Sequence, residues 1–401
     1  MLRMRVVHLS LTDFRNYGRA EVPLTAGPNL FVGRNGQGKT NLVESLGYLS
    51  TLGSHRTSTD QAMIRQGEES AIIRARLANA DRELLVEVQL NRGAANRAQV
   101  NRSVVKTREL PRYFSSVLFA PEDLALIRGD PGTRRRFLDQ LLVQRSPRIA
   151  GVLADYERVL RQRNTLLKSA RTSRVREDQL TTLEIWDERL VALGSEIIDE
   201  RAELLARLAE PLRAAYRSVA GADHLPLARS VLSIWGSDAE DPEGATAIRE
   251  DEPVQQTGSD GTVDQFRSML SILRRKELDR GVTLIGPHRD DALFELNGMP
   301  AKGYASHGES WSFALALKLA SAELLREQST TGDPVLILDD VFAELDQTRR
   351  RKLADAVQGY EQVLITAAVL EDVPDELTAH TVHISAGTVR LDGEAAEVDH
   401  D

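Results

Sequence analysis

The sequence predicts an α/β protein: a mixed sheet with helices around a nucleotide-phosphate site, interrupted by a long helical insertion. Three observations predict it. Gly33-Arg34-Asn35-Gly36-Gln37-Gly38-Lys39-Thr40 fits G-x-x-x-x-G-K-[ST] between an apolar run and a helical pattern. Pro334-Val335-Leu336-Ile337-Leu338-Asp339-Asp340 is an apolar strand ending in two carboxylates. Between them lies a stretch of roughly 85 residues with apolar side chains at helical period.

The first part reads as strands and turns. Residues 6–11, 72–77 and 84–90 alternate roughly at period two, and 29–32 form a short apolar run that stops at Gly33. The glycines of the loop let backbone N–H groups and the N-terminus of the helix over 41–49 face an anion. Lys39 is placed to reach the β- and γ-phosphates of a nucleotide, and the Thr40 hydroxyl to reach Mg²⁺. On the opposite wall Asp339 is the expected Mg²⁺ partner, and Asp340 the group that orients or deprotonates the attacking water. Lys39 and Asp339 must share one site although 300 positions separate them, so the ATPase domain is expected to be discontinuous.

The insertion carries two stripes. One runs through Leu153, Tyr156, Leu160 and Leu167, the other through Trp186, Leu190, Leu193, Ile197, Leu204 and Leu208. Two helices of about 35 residues would make an arm roughly 50 Å long. After it, 282–285, 335–338, 363–365 and 382–384 are expected strands and 309–326 a long helix. The expected organisation is an ATPase domain over 1–118 and 281–401, with an inserted arm over 119–280.

Charge is uneven along the chain. The net charge is −9, yet between Arg128 and Arg176 there are thirteen Lys/Arg against four Asp/Glu. Arg134, Arg135, Arg136, Arg158, Arg161, Arg163 and Lys168 lie on the arm helices, where they could neutralise phosphates without reading sequence. Residues 236–262 are acidic and poor in apolar side chains, which predicts a disordered loop. With 41% hydrophobic and 28% charged residues, the 401-residue chain falls in the ordinary globular class. It has no cysteine, no secretory h-region and no apolar run long enough to span a membrane, so a cytoplasmic protein is expected. His55 and His288 each sit beside an arginine and read as hydrogen-bonding or DNA-contacting groups rather than zinc ligands.

Before Asp339 comes Tyr304-Ala305-Ser306-His307-Gly308-Glu309-Ser310, a Ser/Gly turn opening a helix. The order of phosphate loop, Ser-x-Gly turn and acidic strand, followed by Glu344-Leu345-Asp346, resembles the ABC-type P-loop ATPase heads. Within that group the chain resembles the RecF family of bacterial recombination mediators. The resemblance rests on Asp13-Phe14-Arg15-Asn16-Tyr17, the loop through Asn41, Ser54-His55-Arg56-Thr57, Ala120-Pro121-Glu122-Asp123-Leu124, Gly286-Pro287-His288-Arg289-Asp290-Asp291 and the turn and acidic strand already quoted. It implies a head that closes on ATP and Mg²⁺ with a second copy of itself, binds single- and double-stranded DNA at gaps, and helps load the RecA recombinase with RecO and RecR. It further implies a role in DNA damage, replication and the SOS response. Slow DNA-dependent ATP hydrolysis would act as a switch. Ser306 and Gly308 would meet the γ-phosphate held by the partner's Lys39, while Arg15 and Thr366 would lie near the nucleotide. The signature turn here is Ser-His-Gly-Glu where the family more usually has Ser-Gln-Gly-Gln, and Asp340 stands where many ABC heads have Glu. A transporter's nucleotide-binding subunit, a GTPase and a chromosome-organising head fit less well. The chain has a basic insert, no Asn-Lys-x-Asp element and no long coiled coil.

Overall fold

The structure is a computed structural model that describes residues 4–79, 82–173, 181–220, 224–236, 259–329 and 332–391. Two compact units emerge. The first joins Met1–Leu124, Pro211–His224 and His307–Asp401; the second joins Ala125–Glu210 and Leu225–Ser306. These bounds differ from the expected 1–118, 119–280 and 281–401, and strand pairing explains why. Ser116–Phe119 pairs in parallel with Val335–Asp339 and so belongs to the first unit. Asp291–Leu296 pairs antiparallel with Pro226–Val231, which holds the segment after 281 in the second.

Two sheets build the first unit. One has the strand order Thr388–Leu391, Thr381–Ser385, Gly27–Val32, Gln362–Ala367, Val335–Asp339, Ser116–Phe119, parallel throughout except for its edge hairpin. Every residue of Val335–Asp339 and Gln362–Ala367 is buried. That is why these strands read as unbroken apolar runs: a parallel sheet is covered on both faces. The other sheet is antiparallel and runs Tyr17–Pro23, Met4–Phe14, Ser70–Asn79, Arg82–Asn91, Arg97–Val100, Ser103–Val105. In its strand Met4–Phe14 the buried set Val6, Leu9, Leu11 slips phase where the register with Ser70–Asn79 shifts between Val6 and His8.

The helix Lys39–Thr51 places Leu42, Val43, Leu46 and Leu49 in a core shared with Leu9, Leu11 and Phe14 of one sheet and Ile337 and Leu364 of the other. Each such side chain contributes about 1.5–3 kcal/mol of burial. Gln362 ties the sheets together as well. Its amide donates to the carbonyls of Val6 and Thr25 at 2.8 Å, and its oxygen accepts the Val6 N–H at 2.8 Å.

The second unit is mostly helical, with Pro131–Arg145, Ile149–Ser173 and Ser259–Arg280 beside the three-stranded sheet Met299–Pro300, Asp291–Leu296, Pro226–Val231. The helix Thr181–Ala220 belongs to it as far as Glu210. Tyr156, Val159, Leu190, Val191, Ile197, Phe266 and Leu270 form its core, so both predicted stripes face inward. The two stripe-bearing helices have 25 and 40 residues rather than about 35 each.

Two expectations are corrected. Residues 282–285 form no strand: the N–H of Thr283 is taken by Asn164 Oδ1 and that of Leu284 by Glu277 Oε1, each at 2.8 Å, so side chains do a strand partner's work. Of the expected acidic loop, 237–258 lie outside the described residues, and its last four residues begin the helix Ser259–Arg280.

Candidate nucleotide site

The carboxyl ends of three neighbouring parallel strands converge. Gly27–Val32, Gln362–Ala367 and Val335–Asp339 lie side by side, with Thr366 opposite both Phe31 and Asp339 in register. In parallel sheets this edge is where ligands bind.

Gly33 leaves the first strand with no room for a side chain, since a Cβ there would lie 2.2 Å from the Ile384 carbonyl oxygen. Gly36 and Gly38 have φ of 80° and 115°. A Cβ on Gly38 would stand 2.7 Å from Asn16 Nδ2 and Tyr17 Oη. The Tyr17 hydroxyl is buried and has no hydrogen-bond partner among the described residues. Lys39 is only 3% exposed, and its Nζ donates to the Gly33 carbonyl at 2.7 Å and to the Arg34 carbonyl and Asn35 Oδ1 at 3.4 Å. The loop thus curls round the ammonium group of Lys39, which its carbonyl oxygens hold in place. Gly38→Ala is expected to cost about 1–3 kcal/mol of stability and to abolish nucleotide binding, because the new methyl forces the loop off Asn16. Wild-type nucleotide affinity in this variant, measured by calorimetry, would remove the packing argument.

Asp339 closes the other side. Its Oδ1 accepts from Thr40 Oγ1 at 3.0 Å and from Thr366 Oγ1 at 2.6 Å, and the Asp340 N–H donates to Thr366 Oγ1 at 2.9 Å. Burial pushes the Asp339 carboxyl up to about 6, with the charge of Asp340 adding to it and the Thr366 hydrogen bond opposing it. A buried carboxylate in that condition favours a cation beside it. Asp340 has φ of 50°, a left-handed backbone unusual for a non-glycine residue at a strand end.

His55 was not foreseen here. Its Nε2 lies 4.0 Å from Asp339 Oδ2, buried and, among the described residues, without a hydrogen-bond partner, and burial holds its pKa below the ordinary value. Glu44, also missed, is the buried anchor of Arg15, which meets it through Nε at 2.9 Å and Nη2 at 2.6 Å. Ser54 donates to the same carboxylate. These hydrogen bonds outweigh the upward push of burial and hold Glu44 below the ordinary carboxylate value. Asn41 joins Asn16 and Arg56 at 2.7 and 2.9 Å, and Asn16 donates to the Gln37 carbonyl at 3.1 Å. Arg15, Asn16, Asn41 and Arg56 line a cleft of about 460 Å³.

A glycine loop closed on a lysine, a buried carboxylate with two hydroxyls on it, and an arginine–glutamate brace thus occupy one edge of the first unit. The RecF/RecN/SMC N terminal domain family matches residues 5–383. The DNA replication and repair protein RecF of Leifsonia xyli subsp. xyli is 72% identical over 96% of this chain and 99% of its own length. That of Streptomyces avermitilis is 51% identical over 96% and 99%. The chain belongs to the RecF family. A solved structure of the recombination mediator protein RecF with ATP, in the RecFOR pathway, superposes with a TM-score of 0.83 at 28% identity, covering 97% of this chain and 98% of that one.

In this RecF-family chain the signature turn is built separately from the phosphate loop. Gly308 lies in the first turn of the helix His307–Gln328, packed so that a Cβ would stand 2.7 Å from Arg349 Nη1. Ser306 falls in the second unit. Among the described residues no hydrogen bond joins Gly308 to Lys39, Thr40 or Asp339. Asp346, the final residue of the Glu-Leu-Asp element, caps the next helix by accepting the Arg349 N–H at 3.0 Å.

The arm cations divide into two groups. Arg134 is buried and bidentate on Asp291 at 2.7 Å, and Arg163 is fully buried between Asp187 and Glu277 at 2.6 Å. Both were expected on a DNA-facing surface; both are instead locked inside the second unit by carboxylates distant in sequence. Arg135 is half-buried and donates to the Asp290 carbonyl at 2.7 Å. Arg136, Arg158, Arg161 and Lys168 are exposed. The last three share one face of Ile149–Ser173, and of these Arg158 and Arg161 carry, among the described residues, only exposed intrahelical pairs at 3.4 Å to Asp155 and Glu157.

Two buried groups in this unit titrate in opposite senses. Burial raises Asp290 to about 6 and, with the Arg289 charge, depresses His288 to about 4. The Asp290 contribution is complete below its unfolded pKa of about 3.9 and lost as pH rises through its folded value. The His288 contribution is complete above about 6.5 and lost as pH falls through its folded value. Between roughly pH 4 and 6.5 they offset each other. Asp290→Asn leaves the His288 contribution unopposed, so urea unfolding should show the variant losing stability more steeply than wild type as pH falls over that window. Parallel profiles would contradict the assignment.

Proposed function

We propose that the chain is an ATP-dependent DNA-binding protein of recombinational repair that dimerises on ATP and helps load the RecA recombinase at gapped DNA. The observation that carries the reading is the meeting of Lys39, Thr40, Asp339 and Thr366 at one sheet edge. The residues fit the nucleotide. Gly36, with φ of 80° and open space where a side chain would stand, leaves the loop room for a phosphate chain, and Lys39 can exchange loop carbonyls for phosphate oxygens without leaving its place. Thr40 and Asp339 fit Mg²⁺, offering a hydroxyl and a carboxylate already 3.0 Å apart.

ATP with its metal supplies a cleavable phosphoanhydride and a charge that neutralises Asp339. The protein supplies the rest. Arg15 and Asn41 bound the cleft at the loop's flank, and Thr366 positions the backbone of Asp340, whose carboxylate takes the proton of the attacking water. A partner's Ser306 and Gly308 complete the γ-phosphate shell, so nucleotide links two copies and hydrolysis releases them. Turnover is slow and serves as a switch. The exposed face of Arg158, Arg161 and Lys168, with Arg136, neutralises the phosphates of single- and double-stranded DNA. RecO and RecR are the expected partners by family, and the cytoplasm the expected compartment. No helix among the described residues is long and apolar enough to cross a membrane.

Sedimentation of the whole chain with and without ATP and a gapped duplex tests the reading. ATP should double the mass and bring it onto the DNA. ATP binding with mass and DNA affinity unchanged would refute the clamp.

A further inference from the structure

The turn Gly286-Pro287-His288-Arg289-Asp290-Asp291 lies in the second unit, apart from the residues that build the candidate nucleotide site, and it is densely held. Gly286 has φ of 118° and no room for a side chain, a Cβ there lying 2.6 Å from Tyr156 Oη and 2.8 Å from a Phe266 ring carbon. The Pro287 carbonyl accepts from Arg201 at 2.7 Å, and His288 Nδ1 meets the Tyr156 hydroxyl at 2.7 Å. Asp290 Oδ1 accepts from the Ser233 N–H and hydroxyl at 2.8 and 2.7 Å, while Asp291 holds Arg134. Five residues of the turn are thus tied inward, and Arg289 alone is exposed.

The cations nearby are matched with carboxylates: Arg134 with Asp291, Arg163 with Glu277 and Asp187, and Arg201 with Asp139. Arg289 is not matched in this way. Its guanidinium donates to the Thr283 carbonyl at 3.2 Å and, among the described residues, has no carboxylate partner. Arg135 comes to the adjacent residue, donating to the Asp290 carbonyl at 2.7 Å. Two guanidinium groups therefore flank one rigid turn, each anchored on a backbone carbonyl and neither, among the described residues, paired with a carboxylate. Anchoring on Thr283 has already removed part of the side-chain entropy that binding an anion would otherwise cost.

We infer that Arg289, with Arg135 beside it, is a seat for a backbone phosphate of DNA. The inference rests on the DNA-binding reading above and adds a site to it. A planar, permanently charged guanidinium suits a phosphate in bidentate contact, and a contact to the backbone alone carries no sequence preference.

The test is fluorescence anisotropy of the full chain on a labelled gapped duplex with ATP, over a salt series, for wild type and for Arg289→Ala, Arg289→Glu and Arg289→Lys. Arg289→Glu should weaken binding about tenfold and reduce the slope of log K against log salt by about one, and Arg289→Lys, which keeps the charge but not the planar fork, should keep the wild-type slope and lose only part of the affinity. ATP-driven dimer mass, measured in parallel, reports that each variant is folded. Folded Ala and Glu variants with wild-type affinity and slope would overturn the seat, as an acidic protein partner at this turn would produce. A wild-type chain that binds no DNA in any nucleotide state would overturn the DNA reading and the seat together.

Discussion

Lys39→Met is expected to lower ATP affinity at least about a hundredfold and to leave the chain monomeric at ATP concentrations that dimerise wild type. The lysine stands at the centre of the loop with its Nζ on the Gly33 carbonyl, and no other cation in the described structure contacts that carbonyl. Hydrogen bonds to charged groups are worth about 1.5–3 kcal/mol each, and losing those to two phosphates amounts to two or more decades in affinity. The fold should survive, because methionine keeps the buried stem in place. Asp340→Asn makes the contrasting case. It should retain ATP and the dimer while losing hydrolysis, giving a complex that persists after ATP is diluted. Calorimetry for binding, sedimentation for mass and phosphate release for turnover separate the two. A Lys39→Met chain that still dimerised on ATP would show that the loop is not where nucleotide acts.

Arg163→Ala should cost about 3–5 kcal/mol in urea unfolding, the usual penalty for leaving buried carboxylates without their partner. Arg163 and Glu277 are both inaccessible to solvent, and Arg163 also reaches Thr283 Oγ1 at 2.8 Å. Burial pushes Glu277 up while Arg163 pulls it down, so removing the arginine strands a carboxylate that water cannot reach. Arg163→Met combined with Glu277→Gln should recover much of the loss, since the neutral amide oxygen can still accept the Leu284 N–H that Glu277 takes at 2.8 Å. DNA affinity of the folded double variant should match wild type. If Arg163→Ala were as stable as wild type but bound DNA weakly, Arg163 would be a surface contact after all.

The candidate nucleotide site was legible because what builds it is local. Gly33, Gly36, Gly38, Lys39 and Thr40 act through backbone conformation and reach within one loop, and Asp339 ends a strand that has to be apolar to be buried. His55 and Glu44 were not legible in the same way. A histidine in a polar turn and a glutamate on a helix resemble solvated residues until the fold brings Asp339 to one and Arg15 to the other. The expected strand over 282–285 failed for a related reason: apolar burial was read correctly, but the amides found Asn164 and Glu277 rather than a neighbouring strand.

By itself the sequence determined the class of site, the α/β head and its helical insertion, and the presence of a strongly basic stretch, since loop chemistry and hydrophobic period are written into neighbouring residues. The tertiary structure alone decided which of the basic residues are surface and which are core. Whether an arginine meets solvent or a carboxylate depends on partners such as Asp291, more than 150 residues from Arg134, and Glu277, more than 110 from Arg163. Charge counted along a chain carries no record of those pairings, because the desolvation that selects them arises only when distant segments pack.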